Sequence, residues 1–147
     1  TAEDFADVIA GLLRAGIPVM GHLGLTPQSI HKFSGFKVQG RDRNQRKQLK
    51  DAAQGLQDAG CFAIVLECIP ADLAREITDS LTIPTIGIGA GPHCDGQILV
   101  IHDILGWGKT RFGKTYADVR AQTAQAVDAY VQDVRAQTFP SKEHAYE

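Results

Sequence analysis

The run Cys61-Phe62-Ala63-Ile64-Val65-Leu66-Glu67-Cys68-Ile69, bounded by Gly60 and Pro70, constrains this chain more than any other stretch. It is almost wholly apolar, has the length of a strand, and lies between two segments with helical spacing. A strand that is apolar on both faces must be covered on both, which is the pattern of a buried parallel strand in an α/β protein. One carboxylate, Glu67, interrupts the run just before Pro70. Chemistry in α/β folds collects at the carboxyl ends of such strands. Glu67 is therefore a candidate functional residue, with a surface carboxylate or the partner of a buried arginine as the plainer alternatives.

The flanking segments supply the rest of an α/β pattern. Over residues 2–15, Phe5, Val8, Ile9, Leu12 and Leu13 recur at helical spacing, with Glu3 and Asp4 early, Arg14 late and Gly16 as the stop. Residues 16–22 read as a short buried strand ending at His22, after which Thr26 and Pro27 read as the N-cap and first residue of a helix. Residues 32–46 carry no sustained apolar period and read as an irregular loop. The spacing predicts helices over 45–59 (Leu49, Ala52, Ala53, Leu56) and 70–81 (Leu73, Ala74, Ile77), then a strand over 83–91 that dissolves into glycines. Residues 97–103 read either as a fourth strand or as a short helical piece followed by a strand. A loop over 106–114, a long helix over 116–138 and an irregular tail complete the chain.

Strands alternating with helices imply βαβ units and a parallel sheet. An eightfold barrel takes about 250 residues, and this chain has 147. About four units fit, as a small open doubly wound sheet or as part of a barrel. No composition shift marks a boundary, so a single domain over 1–147 is expected.

Composition excludes several function classes. A net charge of -2 gives no electrostatic case for nucleic acid or an anionic membrane as partner. No apolar run approaches the roughly 20 residues of a membrane span, and no signal segment opens the chain, so a cytoplasmic protein is expected. Cys61, Cys68 and Cys94 form an odd set without CxxC spacing, which favours reduced thiols over a disulfide framework or a metal site. The absence of an initial methionine leads us to expect a truncated or processed polypeptide.

Four groups of residues could carry chemistry. His22 and Glu67 end successive strands; if these are adjacent and parallel, both side chains overhang one rim. A carboxylate could there remove a proton while an imidazole holds an oxygen, although a single histidine can equally be a structural hydrogen bonder. Gly87-Ile88-Gly89-Ala90-Gly91 either offers backbone N–H groups to an anion or is a tight turn without ligand. Pro92 breaks the dinucleotide-binding glycine pattern, which discounts a Rossmann site. His102-Asp103 reads as a polar pair at a strand end or as a cap. Lys37, Arg41, Arg43, Arg46 and Lys47 read as solvated basic surface, and no local motif announces a metal site in this chain.

Five separated motifs then arrive in a recognisable order: Gly21-His22-Leu23-Gly24-Leu25-Thr26-Pro27-Gln28-Ser29, Lys37-Val38-Gln39-Gly40-Arg41, Val65-Leu66-Glu67-Cys68-Ile69-Pro70, Ile83-Pro84-Thr85-Ile86-Gly87-Ile88-Gly89-Ala90-Gly91, and Asp95-Gly96-Gln97-Ile98-Leu99-Val100. Together they resemble the ketopantoate hydroxymethyltransferase (3-methyl-2-oxobutanoate hydroxymethyltransferase) family over essentially the whole chain. The resemblance implies an α/β fold corresponding to the C-terminal half of a (β/α)8 TIM-type barrel. It implies transfer of a hydroxymethyl group from methylene-tetrahydrofolate to 3-methyl-2-oxobutanoate, giving 2-dehydropantoate in pantothenate synthesis. It places the proton acceptor at Glu67 and a substrate-contacting histidine at His22. It also implies magnesium as cofactor, with its ligands and a substrate-binding lysine in an N-terminal half, so that no metal ligand is expected in this chain. From this follow three further expectations: inactivity of the chain alone, a keto acid and a folate as small-molecule partners, and association as a homo-oligomer or with the missing half. The competing expectations are another enolate-handling lyase or mutase and a non-catalytic assembly fragment.

Overall fold

A computed structural model describes residues 2–26 and 38–146 of the chain. The described residues fall into two compact units, Thr1–Ile98 and Leu99–Glu147. The first contains helices α1 (Ala2–Arg14), α2 (Arg43–Asp58) and α3 (Ala71–Ser80) and strands β1 (Met20–Gly24), β2 (Ala63–Glu67), β3 (Thr85–Ile88) and β4 (Gly96–Gln97). The second contains α4 (Ile101–Ile104), α5 (Val119–Ala136) and a single 3-10 turn, Lys142–His144.

All strand pairs are parallel, and the sheet order is β1-β2-β3-β4. Spatial order follows chain order with no reversal. A doubly wound sheet reverses at a switch point, whereas a barrel adds each strand beside the last. The core is built on one side of the pleat. Ile64 and Leu66 of β2 are fully buried and join Ile9 of α1, Ala53 and Leu56 of α2, and Leu73, Ala74 and Ile77 of α3 in one apolar cluster. Alternation sends Val65 and Glu67 to the opposite face. Register brings His22 and Ile86 level with Val65, and Ile88 level with Glu67. Sequential parallel strands with helices against one face are the arrangement of a barrel segment.

Several expected boundaries move. The first strand begins at Met20 rather than near Gly16: the paired register starts at Met20–Ala63, before it, among the described residues, only the Val19 carbonyl bonds across, accepting the Phe62 N–H, and Ile17 is exposed. α2 begins at Arg43, where the Asp42 side chain accepts the Gln45 N–H at 2.9 Å and so fixes the start. The helix expected from Pro27 lies outside the described residues, as does Lys37 of the basic loop.

The region 97–103 requires a larger correction. It is a two-residue strand followed by a short helix, the reverse of the helix-then-strand alternative and shorter than a full fourth strand. Ile98, Val100 and Ile101 are about half exposed, so the apolar run that suggested a strand is not buried as one. The link from β3 to β4 also lacks a helix. Residues 89–95 suffice because β4 enters the ladder level with Ile86 rather than at the base of β3. Asp95 fixes that entry: its Oδ2 accepts from the Thr85 backbone N–H at 2.8 Å and from the Thr85 hydroxyl at 3.1 Å.

Candidate active site

β1 and β2 deliver His22 and Glu67 to one face of the sheet. His22 pairs in register with Val65 and Gly24 with Glu67, so the two functional side chains are diagonal neighbours on adjacent strands. His22 Nε2 lies 3.0 Å from Glu67 Oε2. The imidazole side chain is 32% exposed and the carboxylate side chain 15%. The pair is therefore sheltered yet reachable by a small molecule. With its proton on Nε2 the imidazole donates to Oε2, leaving Oε1 and the remaining lone pairs of the carboxylate available. Of the alternatives for Glu67, the arginine partner is replaced by a histidine.

The backbone around Glu67 is tied down on three sides. The Leu25 N–H donates to Glu67 O, the Cys68 N–H to Ile88 O, and the Gln39 N–H to Cys68 O, each at 2.9 Å. Gly24, at φ +94°, passes so close that a Cβ on it would lie 2.0 Å from Glu67 O. Cys68 takes a left-handed φ of +51° although it is not glycine. Its thiol is buried; burial, with the Glu67 charge adding to it, pushes that thiol's pKa up and keeps it protonated. Burial acts likewise on Cys61. All three cysteines are free thiols.

The glycine segment after β3 is occupied by the protein's own packing. A Cβ on Gly91 would sit 2.4 Å from Ala71 Cβ at the start of α3. The Gly91 carbonyl accepts from Gln97 Nε2 at 2.9 Å. These contacts describe a tight turn packed on α3. His102 and Asp103 lie on α4, not at a strand end, and buried Asp103 accepts from the Thr110 hydroxyl at 3.1 Å. Arg46 of the basic loop bonds Asp72 and Glu76 on α3.

The donor set near the rim does not suit magnesium. That ion asks for near-octahedral oxygen coordination, and Oε2 of Glu67 already faces His22. No group of three His, Cys, Asp or Glu side chains among the described residues is placed to hold a metal. No described helix is long and apolar enough to cross a membrane.

The family model of ketopantoate hydroxymethyltransferase matches residues 1–142. The chain belongs to the ketopantoate hydroxymethyltransferase family. It is 53% identical over 146 residues to the 3-methyl-2-oxobutanoate hydroxymethyltransferase of Anaeromyxobacter dehalogenans, covering 97% of this chain and 48% of that protein. It is 52% identical over 147 residues to the enzyme of that name from Legionella pneumophila, covering 98% and 56%. For Pyrobaculum arsenaticum the figures are 52% over 144 residues, 97% and 54%. The chain thus spans about half the length of the ketopantoate hydroxymethyltransferases it matches.

What sequence reasoning missed near this site is backbone rather than side chain. Nothing local marks Cys68 as left-handed, because the bonds that hold it come from Leu25, Gln39 and Ile88. Gly24 carried the only local signal, as a glycine closing the strand that bears His22.

Proposed function

We propose that this chain contributes the proton-transfer part of a hydroxymethyltransferase that acts on 3-methyl-2-oxobutanoate. Glu67 accepts the C3 proton of the keto acid and the C–H electron pair moves into the enolate. C3 then bonds to the one-carbon unit of methylene-tetrahydrofolate as both C–N bonds to the folate break, and water supplies the hydroxyl oxygen. The water protons with the one taken by Glu67 end on that hydroxyl and the two folate nitrogens, so that tetrahydrofolate leaves. His22 orients the carboxylate and lies within reach of a substrate oxygen. The observation that carries the reading is the 3.0 Å contact between His22, in mid-β1, and Glu67, at the carboxyl end of β2, on the sheltered face of the sheet. A carboxylate in contact with an imidazole supports the reading, since forming an enolate asks for a base beside a hydrogen-bonding group.

Magnesium belongs to the proposal only as a property of the whole enzyme, because the described residues do not fit it. The 147-residue chain alone is accordingly expected to be inactive. Association is part of the same proposal. The outer edge of β1 has no strand partner among the described residues, and α5 buries none of its side chains. Light scattering that finds a monodisperse monomer would remove this element.

The decisive test is exchange of the keto acid C3 proton for deuterium, followed by NMR. It is run on this chain alone and on the chain combined with a polypeptide supplying the rest of a relative's length. In the combined protein, Glu67→Gln is expected to slow exchange by about 10²–10⁴-fold, the usual share of a general base. Exchange at the unmutated rate in Glu67→Gln would sink the assignment. Brisk exchange by the chain alone would sink the expectation that it is inactive.

A further inference from the structure

We propose that the left-handed backbone at Cys68 aims the Glu67 carboxylate at His22, making residue 68 a positioning residue for the proton transfer proposed above. The role belongs to the φ angle and not to sulfur chemistry, since the thiol is buried and held protonated.

Among the described residues only Cys68 and Gln137 combine a side chain with positive φ. An L-residue enters this region at a cost and stays only where the surroundings over-determine it. Those surroundings are explicit here. The peptide groups on the two sides of Cα68 are fastened to three separate segments: the turn after β1 through Leu25, the end of β3 through Ile88, and the segment before α2 through Gln39. A helical or extended φ at residue 68 would break the Cys68 O bond to Gln39 or the Glu67 O bond to Leu25. Either change rotates the end of β2, and with it the Cα–Cβ bond from which the Glu67 carboxylate hangs. Gly24 completes the fit, because only a residue without Cβ lets the β1 turn approach Glu67 O. Backbone strain next to a candidate base, held from three directions, is the arrangement expected where a side-chain direction must be fixed.

The inference rests on the proton-transfer reading only for the use to which the aim is put, and its test needs no turnover. Long-range 15N–1H spectra of the 147-residue chain at one fixed pH report the ring state of His22, identified by its loss in His22→Gln. Glu67→Gln gives the unpaired reference. Cys68→Gly and Cys68→Asn, which tolerate positive φ, are expected to leave the His22 ring signals at their unmutated positions. Amide exchange at Leu25 and Gln39 then stays within about twofold. Cys68→Val, whose β-branched side chain resists this region, is expected to move the ring signals toward those of Glu67→Gln and to speed the two amides about tenfold. Cys68→Ala should fall between, and it decides the matter if the valine variant does not fold. Unmutated His22 signals in Cys68→Val, or in Cys68→Ala should that variant be needed, would overturn the inference. So would a shift in Cys68→Gly as large as the one they show. Loss of the proposed activity is read separately, in the C3 exchange assay. A His22 response that follows φ while Glu67→Gln leaves exchange untouched would keep the positioning and remove the reaction.

Discussion

Helices α3 and α5 carry the same kind of sequence signal and are stabilised in opposite ways. α3 has Leu73, Ala74 and Ile77 at helical spacing, and all three are fully buried. Its start is Pro70, which offers no side-chain cap. α5 has Val127, Tyr130, Val131 and Val134 at equivalent spacing, and each is at least one-third exposed. In compensation its ends are closed locally: Asp118 Oδ1 accepts the Ala121 N–H at 2.9 Å, and Gln137 adopts a left-handed C-cap. One helix is held by what it packs against and the other by its own termini. An apolar stripe thus establishes a helix and the face that can be buried, but not whether the cover lies within the chain.

The sharpest way to break this comparison is to remove a methylene-rich side chain from each stripe. Ile77→Ala empties a site with no solvent access and should cost about 2–5 kcal/mol in urea unfolding. Val134→Ala removes a 43%-exposed side chain and should stay within about 0.5 kcal/mol. Comparable losses at the two positions would mean that α5 is covered after all, and the contrast would fall.

A smaller effect tests the other half of the comparison. Asp118→Ala deletes the only side-chain N-cap of α5 and should lower its stability by about 1 kcal/mol. The readout is faster amide exchange in the first turn of α5, with the amides of α3 unchanged. If α5 exchange did not respond, local closure would not be what maintains it.

The same division explains how much was legible in the sequence. Elements whose burial and period agree, such as β2 and α3, were readable because local pattern and tertiary packing demand the same residues. The pairing of His22 with Glu67 was also readable in outline, given parallel adjacent strands. But β1 runs on to Gly24, so His22 lies in mid-strand rather than at the strand end expected, and it reaches Glu67 diagonally because Gly24 is the residue level with Glu67. The 97–103 stretch was not. A short apolar run has too few residues for its period to separate strand from helix, and Ile98, Val100 and Ile101 are half exposed in either case. Neither was the clamp around Glu67 readable, since it consists of backbone bonds from segments far away in sequence. The Gly87–Gly91 segment left two alternatives because glycine permits close approach without naming what approaches. Here it is Ala71.

The smallest expected effect concerns charge, and it falls on α3 alone of the two helices. Arg46 Nη2 on α2 reaches Asp72 at 2.8 Å and Glu76 at 2.9 Å, and Lys50 reaches Glu76 at 3.1 Å. The hydrogen bond from Arg46 holds Asp72 below its ordinary carboxylate range; those from Lys50 and then Arg46 do the same for Glu76. A carboxyl group with a lowered folded pKa binds fewer protons folded than unfolded. Its contribution is therefore present above the ordinary values near pH 4 and is lost as pH falls through the folded values below them. All of these groups are at the surface, so the effect should be small and should shrink with added salt. The urea midpoint of the wild type is expected to fall as pH drops from about 5 to 3, and Arg46→Met should lower the midpoint slightly at neutral pH while flattening that fall. Parallel pH curves for the two proteins would show that the network does not link α2 to α3 energetically. Docking of α3 would then rest on Leu73, Ala74 and Ile77 alone, and the contrast with α5 would become one of burial against capping with no electrostatic part.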